Sequence, residues 1–323
     1  MKITVIIPTY CRAVDLNRCL TGFKQQERPA DEILVIVRDT DSSTWEFLES
    51  FDSESLPLKT LTVKVTGVVA AMNVGLDAAR GDIVSFIDDD AIPHSDWLAK
   101  IETHFLADDR LGGVGGRDRM YQENRLVEGE KPVVGKLRWF GRMIPYHHLG
   151  VGAAREVDIL KGVNMSYRHE AIADMRFDRR MKGTGAQVHF EVAFCLSLKR
   201  TGWKLIYDPQ IMVDHYLAQR FDEDRRQQFN SVAYSNNVHN QTLAIVEHFS
   251  APQRIMFALW SILVGTREAY GIVQLLRFLP TEGKLAPRKW LLSMGGRRQG
   301  WLTWQESNRL KSESSILSKE IMR

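Results

Sequence analysis

Short apolar runs alternate with helical patterns over the first ninety or so residues, and this alternation constrains the fold more than any other feature. Ile3-Thr4-Val5-Ile6-Ile7 reads as a buried strand that Pro8-Thr9-Tyr10-Cys11-Arg12 breaks. Helical periodicity follows over residues 13–25. A second strand, Ile33 to Val37, ends at Arg38-Asp39-Thr40-Asp41. A helix through Trp45 to Ser50, a strand from Lys59 to Val65, a helix from Gly67 to Ala79 and a strand from Asp82 to Ile87 complete the series. Strands rich in β-branched residues, separated by helices, imply an α/β fold with a largely parallel central sheet. Ligands of such sheets bind beyond the carboxyl ends of the strands. Three of those ends carry polar punctuation: Thr9-Tyr10-Arg12, Arg38-Asp39 and Asp88-Asp89-Asp90.

The last of these is the most informative. Three adjacent carboxylates close the run Ile83 to Ile87, and they cannot be buried unpaired without a large desolvation cost. They are expected at the mouth of the strand, facing something positive. Residues i and i+2 of a strand share a face, so Asp88 and Asp90 point together and Asp89 points away. Two hard oxygen ligands on one face suit Mg²⁺ or Mn²⁺, above all where phosphates complete the shell. A solvated acidic turn, or a helix cap before Pro93, is the alternative.

These segments resemble the family 2 glycosyltransferases of GT-A fold. Ile6-Ile7-Pro8-Thr9-Tyr10-Cys11-Arg12 is similar to that family's opening strand and loop, and Asp39 stands at the second acid of its DDGS segment. Asn73 to Asp82 matches its helix and GD entry, and Ile87-Asp88-Asp89-Asp90 its DxD motif. Farther on, Lys161 to Arg168 is similar to G-x-N-M-x-x-R, Phe177 to Gly185 to FDE-x-x-x-G-x-G, and Ile211 to His215 to the closing strand. The resemblance implies a nucleotide-sugar donor, a UDP-sugar by family frequency, and a divalent metal. Pro8, Thr9, Tyr10, Arg12 and Asn73 would line or support the nucleotide pocket, and Asp39 would accept from the base N–H. Asp88 or Asp89 would approach the ribose. Asp90, with Asp88 and His215, would hold Mn²⁺ or Mg²⁺.

The family's Glu-Asp pair, aligned back from Gly202, falls on Phe190 and Glu191, so Glu191 takes the place of the base. Its alternative is a structural acid at a helix N-terminus. His189, two residues away, reads as a surface residue at the start of a helix from Val188 to Arg200. The processive Q-x-x-R-W motif is absent from the sequence, which implies single addition. Arg220, Arg225 and Arg226 are further candidates for diphosphate contact, though Arg225 and Arg226 read rather as a solvated basic helix start.

The remaining segments carry weaker signals. Asp96 to Phe105 reads as a helix capped by Ser95. Gly112-Gly113-Val114-Gly115-Gly116-Arg117 lacks the P-loop pattern and reads as a strand packed closely against its neighbours. Residues 121–156 have no clear period. A stretch this long is often a lid or binding loop, with Trp139, Phe140, Tyr146, His147 and His148 as candidates to touch a sugar or acceptor. Residues 203–209 read as a strand and turn before the closing strand. Gln227 to Phe249, Pro252 to Phe278 (broken near Gly265 and Gly271) and Lys284 to Met294 read as helices.

The 323 residues suffice for one large domain or two modest ones. The reading places a GT-A domain at 1–220, with a nucleotide-sugar part at 1–117 and an acceptor part at 157–220. A helical extension occupies 221–323. Three cysteines and an N-terminal apolar run that stops at Pro8 point to the reducing cytoplasm rather than export. The net charge of +3 is uneven: residues 251–300 hold eight Lys/Arg against two Glu, leaving −4 over residues 1–250. A basic, apolar C-terminal segment suits the inner face of an anionic membrane. Its longest apolar run falls short of the roughly 20 residues that span a bilayer. A homo-oligomer is a further expectation, and a nucleic-acid partner is not.

The function expected is inverting, metal-dependent and non-processive transfer of a sugar to a glycan or lipid-linked acceptor, in polysaccharide assembly. Two rivals stand beside it. A sugar-phosphate nucleotidyltransferase would need a glycine-rich loop where Pro8-Thr9-Tyr10 stands. A nucleotide-sugar-binding scaffold without catalysis would accommodate Phe190, Arg38 and Met72, which replace residues usual in the family.

Overall fold

The structure is a computed structural model that describes residues 1–221, 223–225 and 228–321. β1 (Ile3–Thr9), α1 (Ala13–Phe23), β2 (Glu32–Arg38), α2 (Ser42–Ser50), β3 (Leu58–Val63), α3 (Val68–Ala78) and β4 (Ile83–Ile87) alternate as the apolar pattern requires. β5 (Ala91–Pro93), α4 (Trp97–Ala107) and β6 (Leu111–Gln122) follow. An excursion carries the short strands β7 (Arg125–Leu126), β8 (Lys136–Leu137), β9 (Met143–Ile144) and β10 (Arg155–Glu156). Then come β11 (Asn164–Arg168), α5 (His169–Ile172), α6 (Phe190–Arg200) and β12 (Lys204–Tyr216). The C-terminal part is helical: α7 (Ser231–His248), α8 (Ala251–Leu263), a small hairpin of β13 (Gly265–Thr266) and β14 (Ala269–Tyr270), α9 (Ile272–Glu282) and α10 (Leu285–Ile321).

The main sheet runs in the order β10-β12-β6-β11-β4-β1-β2-β3. β3, β2, β1 and β4 are parallel, and so are β6 and β12. β11 departs from the parallel expectation, lying antiparallel between β4 and β6. Its reversal delivers its amino end, not its carboxyl end, to the edge where β4 and β12 finish. The chain reverses direction of winding at β1, which pairs with β2 on one side and β4 on the other. That is the topological switch point at which open α/β sheets bind ligands.

Alternation along β1 builds two core layers. Ile3, Val5 and Ile7 pack with Leu16 and Leu20 of α1 and Trp97 of α4. Ile6 packs on the other face with Val69, Met72 and Leu76 of α3. Leu243 and Ala244 of α7 join this second layer, which ties the C-terminal helices to the sheet. The glycine run lies in β6, as close packing demands. A Cβ at Gly116 would sit 1.7 Å from the Ile211 carbonyl oxygen, and one at Gly115 2.7 Å from that of Asn164.

Several expectations need correction. Ser95 does not cap α4: Asp96 holds the N-cap position, and the Ser95 hydroxyl donates to Glu27 instead. Residues 204–216 form one strand, because a bulge between Asp208 and Met212 absorbs the turn that Pro209 suggests. α10 runs far past Met294, carried by its packing along α7. α7 begins at Ser231, capped by Asn230, and Gln227 and Arg226 lie outside the described residues. Of the aromatics in 121–156, Phe140 packs on Trp260 of α8, while the His147 ring meets the Ile159 carbonyl. None of Trp139, Phe140, Tyr146, His147 and His148 reaches the cavity described next.

Candidate active site

A cavity of about 300 Å³ opens at the carboxyl ends of β1 and β4. Pro8, Thr9, Tyr10 and Arg12 form one wall and the three aspartates its floor. Lys161 to Val163 enter from the start of β11, His215 from the end of β12 and Glu191 from the first turn of α6. The loop 184–188 closes the side opposite β1, held down by Gln187, which accepts from the Val69 N–H and donates to the Met181 carbonyl.

The loop after β1 is under backbone constraint. Cys11 has φ of 55°, a left-handed conformation uncommon for a residue with a Cβ. Buried Asp41 holds it there, accepting from the Cys11 N–H at 2.5 Å while capping α2 through the Thr44 N–H. Such strain persists where the surroundings over-determine it. It aims Arg12 at the aspartates: its guanidinium lies 2.8 Å from Asp89 and 3.6 Å from Asp90, and donates to the Gln219 carbonyl.

The acids are therefore paired as desolvation requires. Asp89 and Asp90 are buried. Burial raises the Asp89 carboxyl, Arg12 opposes the shift and Asp90 adds to it, leaving it at about 7. Asp90 behaves oppositely. Burial opposes ionisation, but hydrogen bonding to His215, the charges of His215 and Arg12 and the Ala218 N–H together hold it well below the usual carboxylate range. His215 lies between two acids, Nε2 at 3.2 Å from Asp90 and Nδ1 at 3.5 Å from Asp118. Burial disfavours the imidazolium, yet the two carboxylates raise His215 to about 9. Asp118 on β6 is fully buried and also ion-pairs with Lys161. Sequence reasoning missed Asp118. Its signal is a lone acid in β6 just beyond the buried glycine run, between Arg117 and Arg119.

Asp88, Asp90 and His215 each present a ligand atom, and these atoms lie within 4.8 Å of one another. With the His215 proton given up on binding, two carboxylates and an imidazole, the last braced from behind by Asp118, are a fitting donor set for a divalent cation such as Mn²⁺. The three aspartates lie in the turn after β4 rather than in the strand itself, and all three line the cavity, with Arg12 reaching both Asp89 and Asp90.

Glu191 is the carboxyl that α6 brings to the cavity. Burial raises its carboxyl and the Asp88 charge adds to this, against the N–H groups of its own helix and Lys161, so it stands at about 7. His189 precedes it with φ of 73° and is no surface residue: its Nε2 meets the Asn237 side chain of α7 at 2.6 Å. Burial lowers it to about 4.

Two expected site residues do not reach the cavity. Asn73 is buried in α3, and its amide exchanges hydrogen bonds with the Phe177 backbone at 2.8 and 2.9 Å. Asp39 is exposed beside Arg38, 3.5 Å away, and it is Arg38 that lines the cavity. Arg38 also stacks over Tyr10, 5.9 Å from the ring centre, and Tyr10 meets Phe221 edge-on at 6.3 Å. Arg220 lines the cavity and pairs with Asp224.

Residues 4–198 match the model of glycosyl transferase family 2. The chain belongs to that family. The family 2 chain is 29% identical over 223 residues to the pre-mycofactocin glycosyltransferase of Mycobacterium tuberculosis, covering 66% of this chain and 42% of that protein. It spans less than half the length of the first curated relatives it matches. Among solved structures, S. aureus TarS 1-349 in complex with UDP-GlcNAc superposes with a TM-score of 0.60 at 16% identity, over 93% of this chain and 81% of that one. The mannosyltransferase PcManGT from Pyrobaculum calidifontis, in complex with GDP-Man and Mn²⁺, gives 0.53 at 16% identity, over 94% and 87%. These likenesses establish the GT-A fold.

Proposed function

We propose that this family 2 chain transfers a sugar from a nucleoside-diphosphate sugar to an acceptor hydroxyl, with inversion and with a divalent metal. The observation that carries the reading is the placement of one raised carboxyl, Glu191, in the same cavity as the Asp88, Asp90 and His215 donor set. The complexes of TarS with UDP-GlcNAc and of PcManGT with GDP-Man and Mn²⁺ support a nucleotide-sugar donor and a metal. UDP remains the donor base favoured from family frequency, and a glycan or lipid-linked molecule the acceptor.

Each residue has a task that follows from its surroundings. Tyr10 and Arg38 present an aromatic face and a cation at the β1 end, suited to stacking on a nucleobase. Asp88, Asp90 and His215 would hold the cation, which when bound neutralises the leaving diphosphate. Arg12 keeps Asp89 and Asp90 in place. Glu191, near neutral pH in its affinity for a proton, accepts the proton of the acceptor hydroxyl as the oxygen attacks the anomeric carbon. A single displacement from the face opposite the leaving group inverts that carbon.

The test is a panel of nucleotide-sugars with and without Mn²⁺, followed by NMR of the product's anomeric proton. Asp90→Ala and Glu191→Gln are both expected to lose transfer by at least a hundredfold. Near-normal turnover in both, or retention of the donor's configuration, overturns the proposal. Donor binding without transfer in the wild type would instead favour the scaffold reading.

A further inference from the structure

The C-terminal helices present an apolar face that nothing among the described residues covers. On α8, Ile255, Leu259, Ile262 and Leu263 recur at helical spacing and are exposed, while Phe257 and Ser261 turn inward. On α9, Ile272, Val273, Leu276 and Leu279 are likewise exposed, and none of the α9 side chains is buried. Leu276 and Ile255 leave 64% and 61% of their surface open. The two helices touch each other and flank the β13–β14 hairpin, which sets their exposed apolar side chains on adjoining elements. Scattered apolar side chains on a surface are ordinary, but eight from two adjoining helices mark an interaction site.

The charge around this face narrows the partner. Residues 251–300 hold eight Lys/Arg and two Glu. Arg297 is buried on the carbonyls of Ala269 and Tyr270, and Lys289 is paired with Glu282. Arg267, Arg277, Lys284, Arg288 and Arg298 remain exposed, against Glu268 as the exposed acid. Arg267 of the hairpin and Arg277 of α9 both lie over the Phe278 ring and so form a cationic rim on these elements, which a second copy would bring against its own like. An anionic lipid surface complements both the rim and the apolar face.

We propose that the α8–α9 surface lies in the interface of an anionic phospholipid bilayer. No helix among the described residues is long and apolar enough to cross a membrane, and α8 and α9 have 13 and 11 residues. They lie in the plane of the membrane, with the leucine and isoleucine side chains among the acyl chains and the arginines among the phosphates. The inference does not depend on the donor or on the reaction.

The test is co-sedimentation of the full chain with phosphatidylcholine vesicles containing either none or about a third phosphatidylglycerol. Binding is expected to the anionic vesicles, to weaken in high salt and to be at least tenfold weaker to the neutral ones. Leu259→Glu with Leu276→Glu is expected to reduce binding tenfold or more, while thermal melting and turnover in detergent-free solution stay as in the wild type. Arg267→Glu with Arg277→Glu is expected to remove the preference for anionic lipid. Failure of the wild type to sediment with anionic vesicles overturns the proposal, as does undiminished binding by the leucine variant. A dimer in sedimentation equilibrium that the leucine variant dissociates also overturns it, by assigning the face to a second copy.

Discussion

Replacing Glu191 with glutamine separates the catalytic and structural consequences of one carboxyl. In the folded protein the group stands at about 7, against an ordinary value of 4.5. Because the folded value is raised, the folded state holds a proton over that interval that the unfolded chain has already released. Stability must therefore fall as pH rises from 4.5 towards 7, and the deficit is complete above 7. The full shift corresponds to ~3 kcal/mol, trimmed to about 2–3 kcal/mol because water retains access to the cavity wall. Glutamine keeps the shape and removes the charge. At roughly 2 cal/mol/K of unfolding entropy per residue, the variant should melt about 3–4 °C above the wild type at pH 8.5. At pH 5 the gap should shrink to about a third or less, since little of the deficit has yet developed. Turnover should fall by roughly 10²–10⁴, the range for loss of a general base. Wild-type turnover should itself decline below about pH 7, as the base becomes protonated. Differential scanning calorimetry at the two pH values and a pH–rate profile provide the measurements. An equal melting shift at both pH values, or a variant retaining a tenth of wild-type turnover, would refute the reasoning.

Other perturbations follow from the same geometry. Asp118→Asn leaves His215 without the carboxylate behind it, and Mn²⁺ affinity measured by electron paramagnetic resonance should weaken about 10–100-fold; circular dichroism should show the fold retained. Asn73→Ala should cost about 1–3 kcal/mol in urea unfolding, through two buried backbone groups left unpaired at Phe177, with donor KM unchanged. Gly116→Ala places a Cβ against the Ile211 carbonyl where neither strand can move aside, and should lower stability by about 3 kcal/mol or more, read as a fall in melting temperature. Removal of divalent metal with a chelator should abolish transfer, and Mn²⁺ should restore it.

The elements that the sequence made legible are those whose burial follows a simple period. β1, β2 and β4 bury nearly every residue, and their apolar runs end within a residue or two of the observed strands. The convergence of strand ends is legible too, because a parallel sheet allows few other places for Thr9, Asp88 and His215 to meet. What escaped notice depends on partners distant in the chain. His189 reads as a surface residue until Asn237, on a helix forty-eight residues later, occupies its ring. Phe140 reads as a sugar platform until Trp260 covers it. Asn73 lies in a motif, and only its contact with Phe177 shows that the amide serves α3 rather than the cavity.

Asp118 shows why a motif understates a site. The three aspartates announce themselves because adjacent acids at a strand end are conspicuous, yet their arrangement depends on charges from elsewhere. Arg12 holds Asp89 from the β1 loop, so Asp89 cannot turn with its neighbours. His215 holds Asp90 from β12, and Asp118 holds His215 from β6. Lys161, at the start of the antiparallel β11, holds Asp118. From Asp90 through His215 and Asp118 to Lys161 each step alternates charge, so each of these ions has a partner of opposite sign. A cation entering between Asp88 and Asp90 would meet a frame fixed by β1, β6, β11 and β12 together. The reversal of β11 thus has a chemical consequence: a parallel strand in its place would carry Lys161 to the opposite edge of the sheet and leave Asp118 with His215 alone.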